Sequence, residues 1–392
     1  MQEKGNAHLR LLAVSHGMNH VYQLLTPVVI PEITREYGLS DLTAGLLVSC
    51  FFLSYALLPA LSGYLSQTFG RRRFLSLGFA TTALAFLATA FTNNIAILAV
   101  LFFIAGAGGS TYHPNGFPIL AETYPTSRGQ MLGLHQTGGA IGSFIGPAVT
   151  GILIFYFAWR PTIMILAIPG LILAAMLWFF IRLERKLEQT GPQQPRKMSF
   201  GYLKTYGPAM LFIIAAFVYV LGQRGTDVFA NQYFVYGRGI GIAEASILFS
   251  TLKVAGLFSA PICGRLSDTY GRKKVLIVLI IIESASLYAI TASSNLLLII
   301  PCLVFGFAAF GLLTVGEALL ADITPEKQRG TIFGINLTIN FSPSIFLAPA
   351  LGAIAQLYSF DLGFIILSAI MLVSIPLLLQ IKTKPVREHE IH

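Results

Sequence analysis

Charge is what this chain has least of. Only 11% of its 392 residues are Asp, Glu, Lys or Arg, against roughly 25% in an ordinary soluble domain. With 55% hydrophobic residues, most of the chain cannot face water, which excludes a soluble globular protein. Cysteine is sparse as well. Cys50, Cys263 and Cys302 fall inside apolar runs with no metal or disulfide spacing, so they read as packing residues. No phosphate-binding glycine loop of the Walker type and no large soluble segment is present, which argues against ATP-driven pumping by this chain. No nucleophile–base motif stands out, which argues against an embedded enzyme. No cofactor and no metal are expected.

What is there in abundance is apolar sequence of one length. A membrane-spanning helix needs about 20 mostly apolar residues. Twelve such stretches are legible, near 11–34, 43–66, 74–92, 95–121, 129–156, 161–182, 205–236, 242–263, 275–292, 295–320, 331–357 and 362–381. Several carry mid-span Gly and Pro, as membrane helices tolerate. The first stretch contains His16, Asn19 and His20. That makes a poor core for a cleavable signal peptide, so it counts as span 1.

Net charge +9 suggests nucleic acid until the charges are placed. With span 1 starting inside, 21 of the 26 Lys and Arg fall in inner loops and tails, and three in outer loops: Arg35, Arg160 and Arg238. The other two, Arg224 and Lys253, lie within spans. This positive-inside bias predicts a multi-pass protein of the cell membrane with both termini cytoplasmic, and no nucleic-acid partner.

The longest polar stretch, 184–204, divides six spans from six. It predicts a first bundle over 1–183, a cytoplasmic linker and a second bundle over 205–392. The two halves repeat one pattern. Gly63-Tyr-Leu-Ser-Gln-Thr-Phe-Gly70-Arg-Arg-Arg73 follows span 2, and Gly264-Arg-Leu-Ser-Asp-Thr-Tyr-Gly271-Arg-Lys-Lys274 follows span 8, offset by 201. Arg128 before span 5 and Arg329 before span 11 are again 201 apart. Pro147 and Pro349 differ by 202. Such repeats place substrate sites at their interface near mid-membrane.

At these residues the chain resembles the major facilitator superfamily, whose signature is this loop duplicated between spans 2 and 3 and between spans 8 and 9. The resemblance covers essentially the whole chain. It implies an all-α membrane protein of twelve helices in two pseudo-symmetric six-helix bundles around a central cavity, working as a monomer. By the same resemblance, Gly63, Gln67, Gly70, Arg71 and Arg128, with Gly264, Asp268, Gly271, Arg272 and Arg329, belong to gating loops. Asp268 would latch the start of span 5 near Arg128. Its counterpart is Gln67, an uncharged departure, so the latch beside Arg329 should be weaker. The plainer reading is that these loops only anchor topology at the anionic inner face.

Span 5 places Gly133, Gly142, Gly146-Pro147 and Gly151 in a pattern similar to one found mainly in proton-coupled exporters of that superfamily. Its physical content is a small-residue stripe that permits close helix packing. Tyr112-His113-Pro114-Asn115-Gly116, with the Gly-Gly pair of span 5, resembles the fosmidomycin-resistance branch, viewed as exporting small drugs.

Polar residues inside spans cost at least about 2.5 kcal/mol each when ionised and central, so they mark function. Span 1 carries His16, Asn19, His20 and Gln23 at i, i+3, i+4, i+7, one stripe on an apolar helix. Span 7 carries Gln223, Arg224, Asp227 and Asn231, where Arg224 matches Gln23 by the repeat offset. Span 4 offers Tyr112 and His113, span 5 His135 and Gln136, span 8 Lys253, span 10 Glu317, and span 11 Asn336 and Asn340. Glu283 on span 9 suggests no role. Two cations and several histidines favour an anionic or polar small-molecule substrate, and Asp227 and Glu317 are the candidate proton carriers. Each of these residues has a plainer reading as a helix–helix hydrogen bond. Proton-coupled export is the leading expectation. Proton-coupled uptake of a small organic acid or nutrient is the alternative, and a membrane sensor without turnover the remote one.

Overall fold

The computed structural model describes the backbone of residues 2–124, 127–181, 207–325 and 329–381. The polar stretch 184–204 lies outside the described residues. Among the described residues every regular element is a helix. The first half runs α1 (Gln2–Tyr37), α2 (Asp41–Leu57), α3 (Pro59–Phe69), α4 (Arg71–Thr89), α5 (Ile95–Gly109), α6 (Tyr112–Thr123), α7 (Arg128–Phe157) and α8 (Trp159–Phe180). The second runs α9 (Gly207–Gln232), a π turn (Tyr233–Gly237), α10 (Ile242–Val254), α11 (Gly256–Tyr270), α12 (Arg272–Ala292), a 3₁₀ turn (Asn295–Leu298), α13 (Ile299–Ile323), α14 (Arg329–Phe341), α15 (Pro343–Leu357), α16 (Phe360–Leu372) and α17 (Ser374–Leu379).

Among the described residues, nine helices are long and apolar enough to cross a membrane, and α2 with α3, bent by 49°, makes a tenth. Of the twelve stretches expected from sequence, the first and third are helical without meeting that threshold. The reason is chemical: α1 carries its polar stripe, and α4 opens on Arg71, Arg72 and Arg73. Local chemistry explains the ends. The Ser40 hydroxyl accepts from the Thr43 amide to start α2, and Asn94 accepts from the Ala96 and Ile97 amides to start α5. Pro59 and Pro343 stand at the first positions of α3 and α15, where a missing N–H costs nothing. They split what the sequence suggests as single spans.

The duplicated loop has one backbone shape. Gly70 sits at φ 93°, ψ 126° and Gly271 at φ 91°, ψ 132°, each joining two helices. A side chain at such a φ is strained. The offset of 201 is therefore repeated in conformation as well as in sequence.

Compactness groups the chain into two units. The first comprises the described parts of Met1–Pro195 with Asp227–Ser250 and Ser344–Leu357. Its later segments are tied in by hydrogen bonds to α1 and α2. The Asn231 amide donates to the Val28 carbonyl at 3.2 Å, Tyr236 donates to the Pro31 carbonyl at 2.8 Å, and Gln232 donates to Asp41 at 3.1 Å. The second unit comprises the described parts of Arg196–Thr226, Thr251–Pro343 and Tyr358–His392. There α12 lies along α13 and α16, and the Ser284 hydroxyl donates to the Ser368 carbonyl at 2.8 Å.

Candidate functional site

The polar stripe of α1 is buried rather than displayed. His16, Asn19 and Gln23 are buried, and His20 is half-buried. This is possible because α7 approaches α1 along its glycines. A methyl group added to Gly142 would stand 2.5 Å from the Gly17 Cα, and one on Gly138 would stand 2.7 Å from the Ala13 carbonyl carbon. One on Gly139 would stand 2.6 Å from the His16 ring. The small-residue face of span 5 is thus a seam against α1, and it brings His135 onto His16.

Four imidazoles and a phenol meet there. The rings of His16 and His135 stack with centroids 4.3 Å apart and planes 9° apart. Tyr112 stacks on His16 at 5.2 Å, and His113 meets His16 edge-on at 5.3 Å. Phe117 closes the group edge-on to His135 at 5.2 Å. Hydrogen positions follow from the partners. His16 Nδ1 lies 3.2 Å from the His135 carbonyl, which can only accept, so Nδ1 carries the hydrogen and Nε2 the lone pair. His20 Nε2, 3.2 Å from His16 Nε2, then donates to it. Tyr112 donates its hydrogen to the Leu12 carbonyl at 2.5 Å, so His135 Nε2 donates to the Tyr112 oxygen at 2.7 Å. His135 Nδ1 is left as a buried lone pair with no partner among the described residues. Asn19 donates to the Tyr55 hydroxyl at 3.0 Å, and that hydroxyl lies 3.5 Å from His113 Nε2.

Sequence reasoning named His16, Asn19, His20, Tyr112, His113 and His135, and the structure brings these six together. It missed Tyr55 and Phe117, which carry no buried-charge signal. Asn115 bonds elsewhere, donating to Ser62 Oγ at 3.2 Å and to the Thr111 carbonyl at 2.7 Å. Gln136 is exposed, on a face of α7 turned away from the one that buries His135.

The stripe of span 7 is dispersed among partners. Gln223 donates to buried Glu283 at 3.4 Å and to the Ala309 carbonyl at 3.3 Å. Arg224 donates from Nε to the Asn340 carbonyl at 3.0 Å, and its guanidinium stands 4.3 Å from the Phe341 ring centre. Arg224 and Asn340, both expected at the site, therefore meet. Asn231 is fully buried between the Val28 carbonyl and Ser246, whose hydroxyl donates to its Oδ1 at 3.3 Å. That is helix packing, which gives Asn231 a structural reason to be polar. Asp227 is buried and Lys253 half-buried, while Glu317 is exposed on α13. Asn336 and Asn340 lie one turn apart on α14, each with a buried Oδ1 lacking a partner among the described residues. Glu283, for which the sequence suggests no role, is a fully buried carboxyl beside Gln223.

At the loops, Arg71 pairs with Glu122, both about a quarter exposed or less. Arg272 pairs with Asp322 at 2.5 Å and with Asp268 at 3.2 Å. Asp268 thus faces Arg272 one turn on in its own motif. The Arg128 side chain lies outside the described residues, and Arg329 is exposed. Gln67 is half-buried with Oε1 lacking a partner among the described residues. Gly63 sits close enough to α6 that an added methyl would stand 3.3 Å from Pro114, whereas Gly264 faces open space. Glu122 and Asp322 were not singled out from sequence, although their offset of 200 marks them as repeat mates.

The Major Facilitator Superfamily family model matches residues 12–250 and again residues 212–391. Among curated relatives, the uncharacterized MFS-type transporter YybF of Bacillus subtilis is 28% identical over 304 residues, covering 72% of this chain and 70% of that protein. Multidrug resistance protein MdtG of Salmonella arizonae is 26% identical over 365 residues, covering 90% of this chain and 89% of its own. Among solved structures, a mutant of the nucleoside transporter NupG is similar with a TM-score of 0.80 at 14% identity, over 95% of this chain and 99% of that one. An inward-facing, unoccupied bacterial homolog of the human lysosomal transporter Spinster gives 0.77 at 16% identity, over 98% and 100%. The likeness of fold reaches end to end, and the chain belongs to the Major Facilitator Superfamily, as a multi-pass membrane transporter and not an enzyme.

Proposed function

We propose that this chain is a secondary active transporter that couples proton entry to export of a small polar or anionic compound by alternating access. In this reading its spans form two six-helix bundles, twelve helices in all, with both termini cytoplasmic and the monomer as working unit. The observation that carries it is the burial of span 1's polar stripe in a shared cluster with span 4 and span 5 side chains. Polar groups placed this expensively inside a bilayer are kept for binding or proton movement. Relatives named for multidrug resistance, matched over about 90% of the chain, favour export.

Arg224 is the anion-binding residue of this reading. Its guanidinium is a planar fork of five donors, oriented by the Nε bond to the Asn340 carbonyl. That shape matches a carboxylate or a phosphate-like group. Asp227, Glu317 and Glu283 are the carboxyls available to carry the proton, and Glu283 is the fully buried one.

The test is directional. Inside-out vesicles with an acidic interior should accumulate an exported substrate and lose the gradient in step. Substrate moving the other way supports uptake, and binding without flux supports a sensor; either result sinks the proposal. Substrates come first from a thermal-shift screen of drugs, organic acids and phosphonates at two pH values. Arg224→Ala should abolish the shift given by an anionic hit while leaving the unliganded melt in place; an undiminished shift removes Arg224 from the site.

A further inference from the structure

The histidine cluster has a property that transport of organic anions does not require. We propose that His16, His20 and His113 form a binding site for a first-row divalent transition-metal ion such as Zn²⁺, Ni²⁺ or Co²⁺. This goes beyond the export reading and does not depend on its direction or coupling.

Three observations carry it. The first is spacing. His16 and His20 stand one turn apart on α1, and their Nε2 atoms are 3.2 Å apart. Two nitrogens each about 2.0–2.1 Å from a tetrahedral ion stand about 3.3–3.4 Å from one another. The pair is therefore already at the bite distance of a chelate. His113, delivered by α6 across the broken span 4, brings a third imidazole, and the ligand atoms of all three lie within 4.8 Å of one another. A rotation of the half-buried His113 ring closes the remaining gap.

The second is the tautomer. The His135 carbonyl takes the Nδ1 hydrogen of His16 at 3.2 Å, which turns the Nε2 lone pair toward His20. A ring nitrogen anchored to a carbonyl while the other is turned to ligate is the arrangement that orients metal-binding histidines. Near-parallel contact with His135 and Tyr112, themselves joined by a hydrogen bond, fixes the His16 plane. On metal binding, His20 changes tautomer: its proton leaves Nε2 and Nδ1 takes one up from solvent, so that the freed Nε2 lone pair takes the ion.

The third is ligand type and access. The three ligands are imidazoles, with no carboxylate in the group. Imidazole selects Zn, Ni, Co and Cu over Mg and Ca, which prefer hard oxygens. His16 is buried while His20 and His113 are half-buried, so the ion approaches from the His20 and His113 side. Three protein ligands leave a tetrahedral ion one position for water or an anionic donor.

The experiment uses the full chain without an affinity tag, in detergent, stripped with chelator and titrated with Co²⁺ as a visible probe. One equivalent should bind with a ligand-field spectrum, Zn²⁺ should displace it, and Mg²⁺ should not. His20→Gln and His113→Gln should each weaken binding at least tenfold. The triple variant His8→Ala, His389→Ala, His392→Ala, which removes every histidine outside the cluster, should leave binding unchanged. Because a cluster variant can lose its fold, the unaltered protein provides a second measurement. Zn²⁺ should protect His20 and His113 from modification by diethylpyrocarbonate, read by mass spectrometry. Absence of saturable Co²⁺ binding, binding that survives both cluster substitutions, binding lost in the triple variant, or equal modification with and without Zn²⁺ each overturns the site.

Discussion

Span 1 and span 7 occupy the same place in the two repeats, yet they spend their polar residues differently. On α1 the stripe is collected: His16, Asn19 and His20 share partners with Tyr112, His113, His135 and Tyr55 in one contiguous network. On α9 it is distributed: Gln223 goes to Glu283, Arg224 to the Asn340 carbonyl, and Asn231 to the Val28 carbonyl. The cause lies in the helix that packs alongside. Span 5 presents Gly138, Gly139 and Gly142, and the repeat offset of 201 turns these into Ile339, Asn340 and Pro343 in span 11. Glycines let two backbones touch, so rings can stack across the contact. Larger residues hold the helices apart, and only long side chains such as Arg224 reach across. One repeated pattern thus gathers rings in the first half and places a guanidinium against a backbone carbonyl in the second.

The largest expected effect breaks the seam itself. Gly142→Leu puts a side chain where the Gly17 backbone stands, and overpacking against backbone cannot be relieved by a rotamer change. Folded yield and thermal stability should fall sharply, by more than the roughly 1–3 kcal/mol typical of a crowded core. Gly334→Ala, at a span 11 position facing open space, should be nearly silent. Equal loss in both would show that the two repeats pack alike after all.

Next in size is the hydroxyl at the centre of the cluster. Tyr112→Phe removes both the donor to the Leu12 carbonyl and the acceptor for His135. Leaving buried polar groups unpaired costs about 1–3 kcal/mol. The melting temperature in detergent should drop, and a smaller drop is expected for Tyr55→Phe, whose contact to His113 is long at 3.5 Å. The reverse order would relocate the centre of the network to Asn19 and Tyr55.

How much of this was legible in sequence follows from where the signal lies. A charge or imidazole in an apolar run is conspicuous, so the stripes on spans 1 and 7 and the members His113 and His135 could be read directly. Duplicated loops are equally visible, and Gly70 and Gly271 proved to share one backbone shape. Tyr55 and Phe117 were illegible because aromatic residues are ordinary in a membrane helix; their role depends on which neighbour they meet. The breaks at Leu58 and Ser342 were lost because a proline one residue on starts a helix as readily as it kinks one. For Gln136 and Glu317 the sequence left the orientation open: a span position says nothing about which face of the helix is turned inward, and both are exposed.

A smaller effect sharpens the comparison at the loops. Arg272 has two acidic partners, Asp268 and Asp322, whereas Arg71 has Glu122, and the residue one turn back is uncharged Gln67. Gln67→Asp would rebuild the second half's triad in the first. Ion pairs that water still reaches are worth about 0–1 kcal/mol and are screened by salt. The melting temperature should rise slightly at low ionic strength and the gain should fade as salt is added. A loss at low salt would mean that Gln67 is held by its amide for a different partner.

The smallest expected effect concerns a group outside the spans, at the end of α1 that lies beyond the histidine cluster. Glu36 accepts from Trp159 at 2.6 Å and from Arg160 at 2.5 Å, fastening the end of α1 to the start of α8. Partial burial pushes its carboxyl upward, but the hydrogen bonds from Arg160 and Trp159 and the Arg160 charge outweigh this, and the net shift is downward. A carboxyl depressed in the folded state binds its proton more weakly there than in the unfolded chain. The stability it contributes is therefore present above the ordinary carboxylate range and is lost as pH falls through the depressed value. Wild type should thus exceed Glu36→Gln in melting temperature at neutral pH, with the gap narrowing on acidification, and modestly so because the side chain is 41% exposed. The histidine cluster is held by a different chemistry, ring stacking and hydrogen bonds among imidazoles and a phenol. If the gap between wild type and Glu36→Gln instead widened toward acid, the proton would be stabilising the fold. The contact would then be a neutral hydrogen bond to Trp159 rather than an ion pair with Arg160.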